Sequence, residues 1–91
     1  MSVPRLALAL ALAASPAFGQ DAPPGASSCL GCHAPARADA AIPSLRGRDA
    51  TEVAAALRAF REGTRSATIM DRLAKGFSEA ESQAIAAWIV R

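Results

Sequence analysis

The chain has 91 residues, 52% of them hydrophobic but only 4% aromatic, and a formal net charge of +2. That length allows at most one domain, and the charge offers no basic stripe of the kind nucleic-acid binders present, no phosphate loop and no run of like charges. With 2 cysteines, 1 histidine and no tyrosine, the side chains able to do chemistry are few enough to enumerate.

The first element is a targeting segment. Residues 1–5 are short with one positive charge, residues 6–14 are an unbroken Leu/Ala run, and Ala17-Phe18-Gly19 surrounds a cleavage point. An apolar run of roughly nine residues is far short of the ~20 needed to span a bilayer. Residues 1–19 therefore read as a signal peptide removed on export, and residues 20–91 as a single periplasmic domain with no membrane span. Loss of Arg5 lowers the formal charge to about +1 and leaves Met70, His33 and Lys75 as the one methionine, histidine and lysine of the mature chain.

A domain of roughly 70 residues sits where a hydrophobic core alone is marginal and a staple is needed. Its aromatic residues are Phe60, Phe77 and Trp88, a thin core. A disulfide between Cys29 and Cys32 would close too small a loop to restrain the unfolded chain much.

Residues 21–28, with Pro23, Pro24 and Gly25, read as a mobile leader, so the first helix is short, over 26–33. Residues 34–47 carry Pro35, Pro43 and Gly47 without periodicity and read as a loop. Asp49 caps the next helix with Glu52 three residues on, Val53, Leu57 and Phe60 share a face, and Gly63 ends it. Residues 63–76 are irregular apart from one turn over 70–75, with Gly76 suited to a left-handed end. Ser78 and Glu81 form a capping box for a last helix through Val90, with Ile85, Trp88 and Ile89 on one face and Ala84 beside them for close approach. No segment alternates as a strand does. The expected fold is all-α, short helices and long loops wrapped around something that fills the middle.

Cys29-Leu30-Gly31-Cys32-His33 matches the C-x-x-C-H pattern of c-type haem attachment. Cysteines at i and i+3 lie on one face of a helical turn, so both sulfurs can form thioethers along one porphyrin edge. The adjacent histidine can then ligate iron, and Gly31 leaves room for the macrocycle. A thioredoxin-like pair would want a βαβ setting, and zinc would want a fourth ligand that the mature chain does not contain. The motif thus predicts one haem c, covalent through Cys29 and Cys32, with His33 on the iron.

Arginine cannot donate a lone pair, which leaves Met70, 37 positions after His33, or else Lys75 as the sixth ligand. A soft thioether favours ferrous iron and raises the potential. The Pro43 carbonyl is placed to accept from His33 Nδ1, and Arg46 and Arg48 are candidates for the haem propionates. Trp88, Phe60 and Leu57 read as core around the haem rather than electron conduits.

The haem motif, the proline loop and a late methionine, in this order, resemble a class I cytochrome c. The run Thr68-Ile69-Met70-Asp71-Arg72-Leu73-Ala74-Lys75-Gly76-Phe77-Ser78 and the helix after it are similar to the methionine-ligand segment of the cytochrome subunit of flavocytochrome c sulfide dehydrogenase. The resemblance covers residues 29–88. It implies Cys29 and Cys32 as attachment sites, His33 and Met70 as ligands, and a partner that is an FAD-containing subunit oxidising sulfide and passing electrons to the haem, from which a downstream acceptor protein takes them. The chain is then an electron-transfer subunit rather than a catalyst in its own right. A freely diffusing monohaem carrier and the cytochrome subunit of another periplasmic dehydrogenase are the alternatives.

Overall fold

The computed structural model describes residues 2–3 and 21–91. The expected export segment and its cleavage point at Gly19 lie outside the described residues, save for residues 2 and 3. Four helices follow in chain order: α1 Ala26–His33, α2 Ala50–Glu62, α3 Met70–Ala74 and α4 Glu79–Ile89, with one 3₁₀ turn, Pro35–Arg37, after α1. The described residues contain no strand, and the all-α expectation holds.

Local chemistry accounts for the ends of the longer helices. The Asp49 carboxylate accepts from Glu52 N–H at 3.1 Å and opens α2, and Gly63 closes it at φ 77. At α4 the full capping box forms: Ser78 Oγ accepts from Glu81 N–H at 3.1 Å while Ser78 N–H donates to the Glu81 carboxylate at 2.9 Å. Helix α1 has no side-chain cap. It starts from Gly25 at φ 84, with Ala26 N–H donating to the Pro23 carbonyl at 3.0 Å. Residues 23–25 are therefore the turn that launches α1, not a mobile leader, because Ala26 is completely buried and fixes the chain just before it.

Two further expectations are corrected. Gly76 does not take a left-handed conformation; among the described residues the positive-φ glycines are Gly25, Gly47 and Gly63. A Cβ at Gly76 would meet the Leu73 carbonyl oxygen at 3.3 Å, so close approach rather than φ accounts for the small residue. On α4 the side chain that permits close packing is Ala86, fully buried, whereas Ala84 is exposed.

Helices α2 and α4 form the frame, and α1 packs on α4 while α3 packs on α2. Val53, Ala86 and Ile89 make the centre of the core, with Cys29, Leu45, Leu57 and Trp88 packed against it. Outside this seam Arg58 and Arg61 both pair with Glu79, and Arg61 Nη1 donates to the buried Ser82 hydroxyl at 3.2 Å. Burial of Val53, Ile85 and Ile89 contributes roughly 1.5–3 kcal/mol each. Among the described residues no fully buried side chain is larger than that of Ser82, and Leu57, Phe60 and Trp88 are only half-buried. The protein part of this core is small.

Candidate cofactor site

The site is built from α1 outward. Cys29 and Cys32 are one helical turn apart and both are free thiols. Cys29 is half-buried against the Val53, Ala86 and Ile89 cluster, and Cys32 is exposed. Burial pushes the Cys29 thiol above its usual range, opposed by hydrogen bonds from the backbone and Ser28, so this sulfur stays protonated at neutral pH.

His33 ends α1, half-buried, and its Nδ1–H donates to the Pro43 carbonyl at 2.7 Å. A carbonyl oxygen can only accept, so Nδ1 carries a proton, and in the neutral ring the lone pair is on Nε2. The bond crosses ten positions of sequence. The loop that carries Pro43 is tied down on both sides. Before it, Asp39 Oδ1 accepts from the N–H groups of Ala41 and Ile42, each at 2.8 Å. After it, Gly47 N–H donates to the Val90 carbonyl at 2.7 Å and Arg46 Nε to the Arg91 carbonyl at 3.1 Å, fastening the loop to the end of α4.

Arg46 lines an open cleft of about 260 Å³ together with Leu30, His33, Ala34, Trp88 and Ile89. Arg48 turns its Nε onto the Ser44 carbonyl at 3.1 Å. A larger cleft of about 400 Å³ lies between α2 and α4, but it is walled by Ala50, Ala54, Ala55 and the Arg58–Glu79 pair and contains no sulfur or imidazole.

Met70 is the first residue of α3 and half-buried, and Lys75 follows the last residue of the same helix and is exposed. The structure thus gathers Cys29, Cys32, His33, Pro43 and Arg46 around the end of α1, and carries Met70 and Lys75 on a separate support, α3 against α2. Beside Met70, Ile69 and Leu73 are 59% and 51% exposed.

These residues fit haem c. Two free thiols one turn apart suit two thioethers, His33 offers a fixed imidazole with its Nε2 lone pair available, and the chain leaves Leu57, Phe60, Trp88, Ile69 and Leu73 short of full burial by protein alone. Among the described residues, no three His, Cys, Asp or Glu side chains cluster as ligands for a metal ion of their own. Asp39 and the Val90–Arg91 tether went unnoticed in the sequence. An aspartate followed by Ala-Ala-Ile-Pro carries the signal of a side-chain-closed turn; the tether has no local signal.

No family model matches the chain. Curated relatives do. The cytochrome subunit of sulfide dehydrogenase from Chlorobaculum tepidum is 38% identical over 60 residues, 65% of this chain and 54% of that protein. Cytochrome c4 of Pseudomonas aeruginosa is 40% identical over 72 residues, 71% of this chain and 36% of that protein. The thiosulfate dehydrogenase electron acceptor of Thiomonas intermedia is 36% identical over 78 residues, 82% of this chain and 36% of that protein. The chain thus spans about half the length of the first relative and about a third of the other two.

Proposed function

We propose that this chain, a homologue of c-type cytochromes, is a periplasmic electron-transfer protein with one haem c attached through Cys29 and Cys32 and ligated by His33 and Met70. The observation that carries the reading is the His33–Pro43 hydrogen bond, which turns the motif's imidazole into an oriented donor with Nε2 available. When bound, haem supplies an iron that takes up and gives up one electron.

The chain's residues do the rest. Cys29, seated on the α2–α4 core, and Cys32, one helical turn on, would together hold one edge of the group by thioethers. The Pro43 carbonyl draws on the Nδ1 proton and makes the imidazole more electron-rich at Nε2. Met70, carried on α3, would supply a neutral sulfur, which favours the reduced state. Arg46, in the cleft beside His33, is the better placed of the two arginines to meet a propionate.

The partner is an FAD-containing dehydrogenase subunit, with a downstream protein as acceptor, and the substrate of the assembly is sulfide. Kinship with a sulfide dehydrogenase subunit and the exposed apolar pair Ile69 and Leu73 support this. The second reading, a diffusing carrier or the cytochrome subunit of a different dehydrogenase, draws on kinship with cytochrome c4 and with an electron acceptor of thiosulfate dehydrogenase.

The test is expression in a host with a periplasmic cytochrome-maturation system. The recovered protein should start near residue 20, carry the mass of one haem and keep its colour through acid-acetone extraction. Extractable haem, or a protein without haem, overturns the reading.

A further inference from the structure

The carbonyl that orients His33 is held by a turn in which no residue belongs to the haem motif. Asp39 closes that turn. One carboxylate oxygen, Oδ1, accepts from both Ala41 N–H and Ile42 N–H at 2.8 Å, and Asp39 N–H donates back to the Ile42 carbonyl at 3.0 Å. Ile42 is the residue immediately before Pro43, and the proline ring fixes its own φ. Few free torsions therefore separate the Asp39 carboxylate from the oxygen that meets His33 Nδ1–H. On the far side the loop is fastened to α4 by Gly47 N–H on the Val90 carbonyl and Arg46 Nε on the Arg91 carbonyl. The acceptor of the histidine is thus set from both directions, by a local turn at Asp39 and by a tether to the distant end of α4.

We infer that Asp39 is a positioning residue for His33: its carboxylate closes the turn that holds the Pro43 carbonyl on Nδ1–H, and through that bond sets how strongly the imidazole donates at Nε2. The inference rests on His33 being the iron ligand. Asp39 is exposed, and its role is geometric, that of a short acceptor at a fixed distance from two backbone N–H groups. Asparagine keeps that acceptor and loses the charge. Glutamate keeps the charge and displaces the acceptor by a methylene. The two substitutions therefore pull geometry and charge apart.

The experiment compares holoprotein with Asp39→Asn, Asp39→Glu and Asp39→Ala, reading solvent exchange of the His33 Nδ1 proton by NMR in the reduced state and the reduction potential by spectroelectrochemistry. With Asp39→Asn both readouts should stay close to those of the parent. With Asp39→Glu and Asp39→Ala exchange should quicken about fivefold, the loss of roughly one hydrogen bond of ~1 kcal/mol, and the potential should rise because a less electron-rich imidazole stabilises ferric iron less. Should Asp39→Ala fail to accumulate, the Asn and Glu proteins decide alone. A shift with Asp39→Asn and none with Asp39→Glu makes the effect one of charge and overturns the inference, as does parental behaviour of all variants. His33 ring protons lacking the haem ring-current shift in the parent overturn the ligation reading instead, and the exchange comparison still decides whether Asp39 holds the ring.

Discussion

A Cβ placed on Gly25 would stand 2.7 Å from Cε1 of Phe77, so the turn that launches α1 is pressed against the residue just ahead of the Ser78 cap of α4. The contact joins the start of the haem-motif helix to the start of the helix it packs on, and Ala26, fully buried, sits next to it. Gly25 also holds φ 84, a conformation that L side chains rarely adopt.

Gly25→Ala should therefore destabilise the folded protein by about 1–3 kcal/mol, combining left-handed strain with displacement of the aromatic ring. Chemical denaturation followed by helical circular dichroism measures it. A loss of only about 1 kcal/mol would mean that the Phe77 ring swings aside and leaves the backbone strain alone, and an unchanged midpoint would contradict the left-handed turn at Gly25 itself.

The Arg58–Glu79–Arg61 cluster ties α2 to α4 and holds the Glu79 carboxyl down at about 2 from its ordinary 4.5, chiefly through the hydrogen bonds from Arg58, then Arg61 and Gln83. A carboxylate whose folded pKa is depressed lends stability above its unfolded value, and that contribution disappears as pH falls through the folded one. Parent and Glu79→Gln should differ at neutral pH and converge between about pH 4.5 and pH 2. Because the cluster is exposed to solvent, the gap should also shrink with added salt. A gap that persists at pH 2 would assign the effect to packing.

Met70→Ala should leave haem attached, since the thioethers do not depend on axial ligation, while lowering the potential and opening the iron to carbon monoxide. The charge-transfer band of sulfur-ligated ferric haem at the red end of the spectrum should vanish. A parent that lacks the band points to Lys75 or water as the sixth ligand.

Replacing Cys32 and His33 together by alanine should leave little folded protein. With no side chain larger than that of Ser82 fully buried among the described residues, the proposed haem would have to complete the interior. Circular dichroism of the haem-free protein gives the answer, and a stable helical form would show that the small α2–α4 core suffices.

Copurification with a larger dehydrogenase at moderate salt is the expected behaviour in the native periplasm. Without residues 1–19 the chain would carry about +1, and two ionised propionates would bring it near −1, which leaves little field to steer a transient encounter. Elution as a lone ~10 kDa species, with reduction slowing steeply as salt rises, would favour the diffusing carrier.

The sequence by itself determined what is local. Ser78 with Glu81, and Asp49 with Glu52, announce the starts of α4 and α2 because a cap is a bond between residues three apart. Cys29, Cys32 and His33 stand at the spacing that attachment to a porphyrin edge would require, and Met70 and Lys75 remained the candidate sixth ligands by elimination in a chain short of donors. Tertiary structure decided what spacing does not encode. Ala86 rather than Ala84 lies in the seam because the docking of α2 sets the rotation of α4. Gly76 is small because Leu73's carbonyl approaches it, not because its backbone is left-handed. The Pro43 carbonyl reaches His33 across ten positions, held by a turn at Asp39 and by a tether from Gly47 to Val90. The His33–Pro43 bond and the Gly47–Val90 tether join residues whose distance along the chain says nothing of their distance in space, and only the packing of α1 and the loop against α4 brings them together.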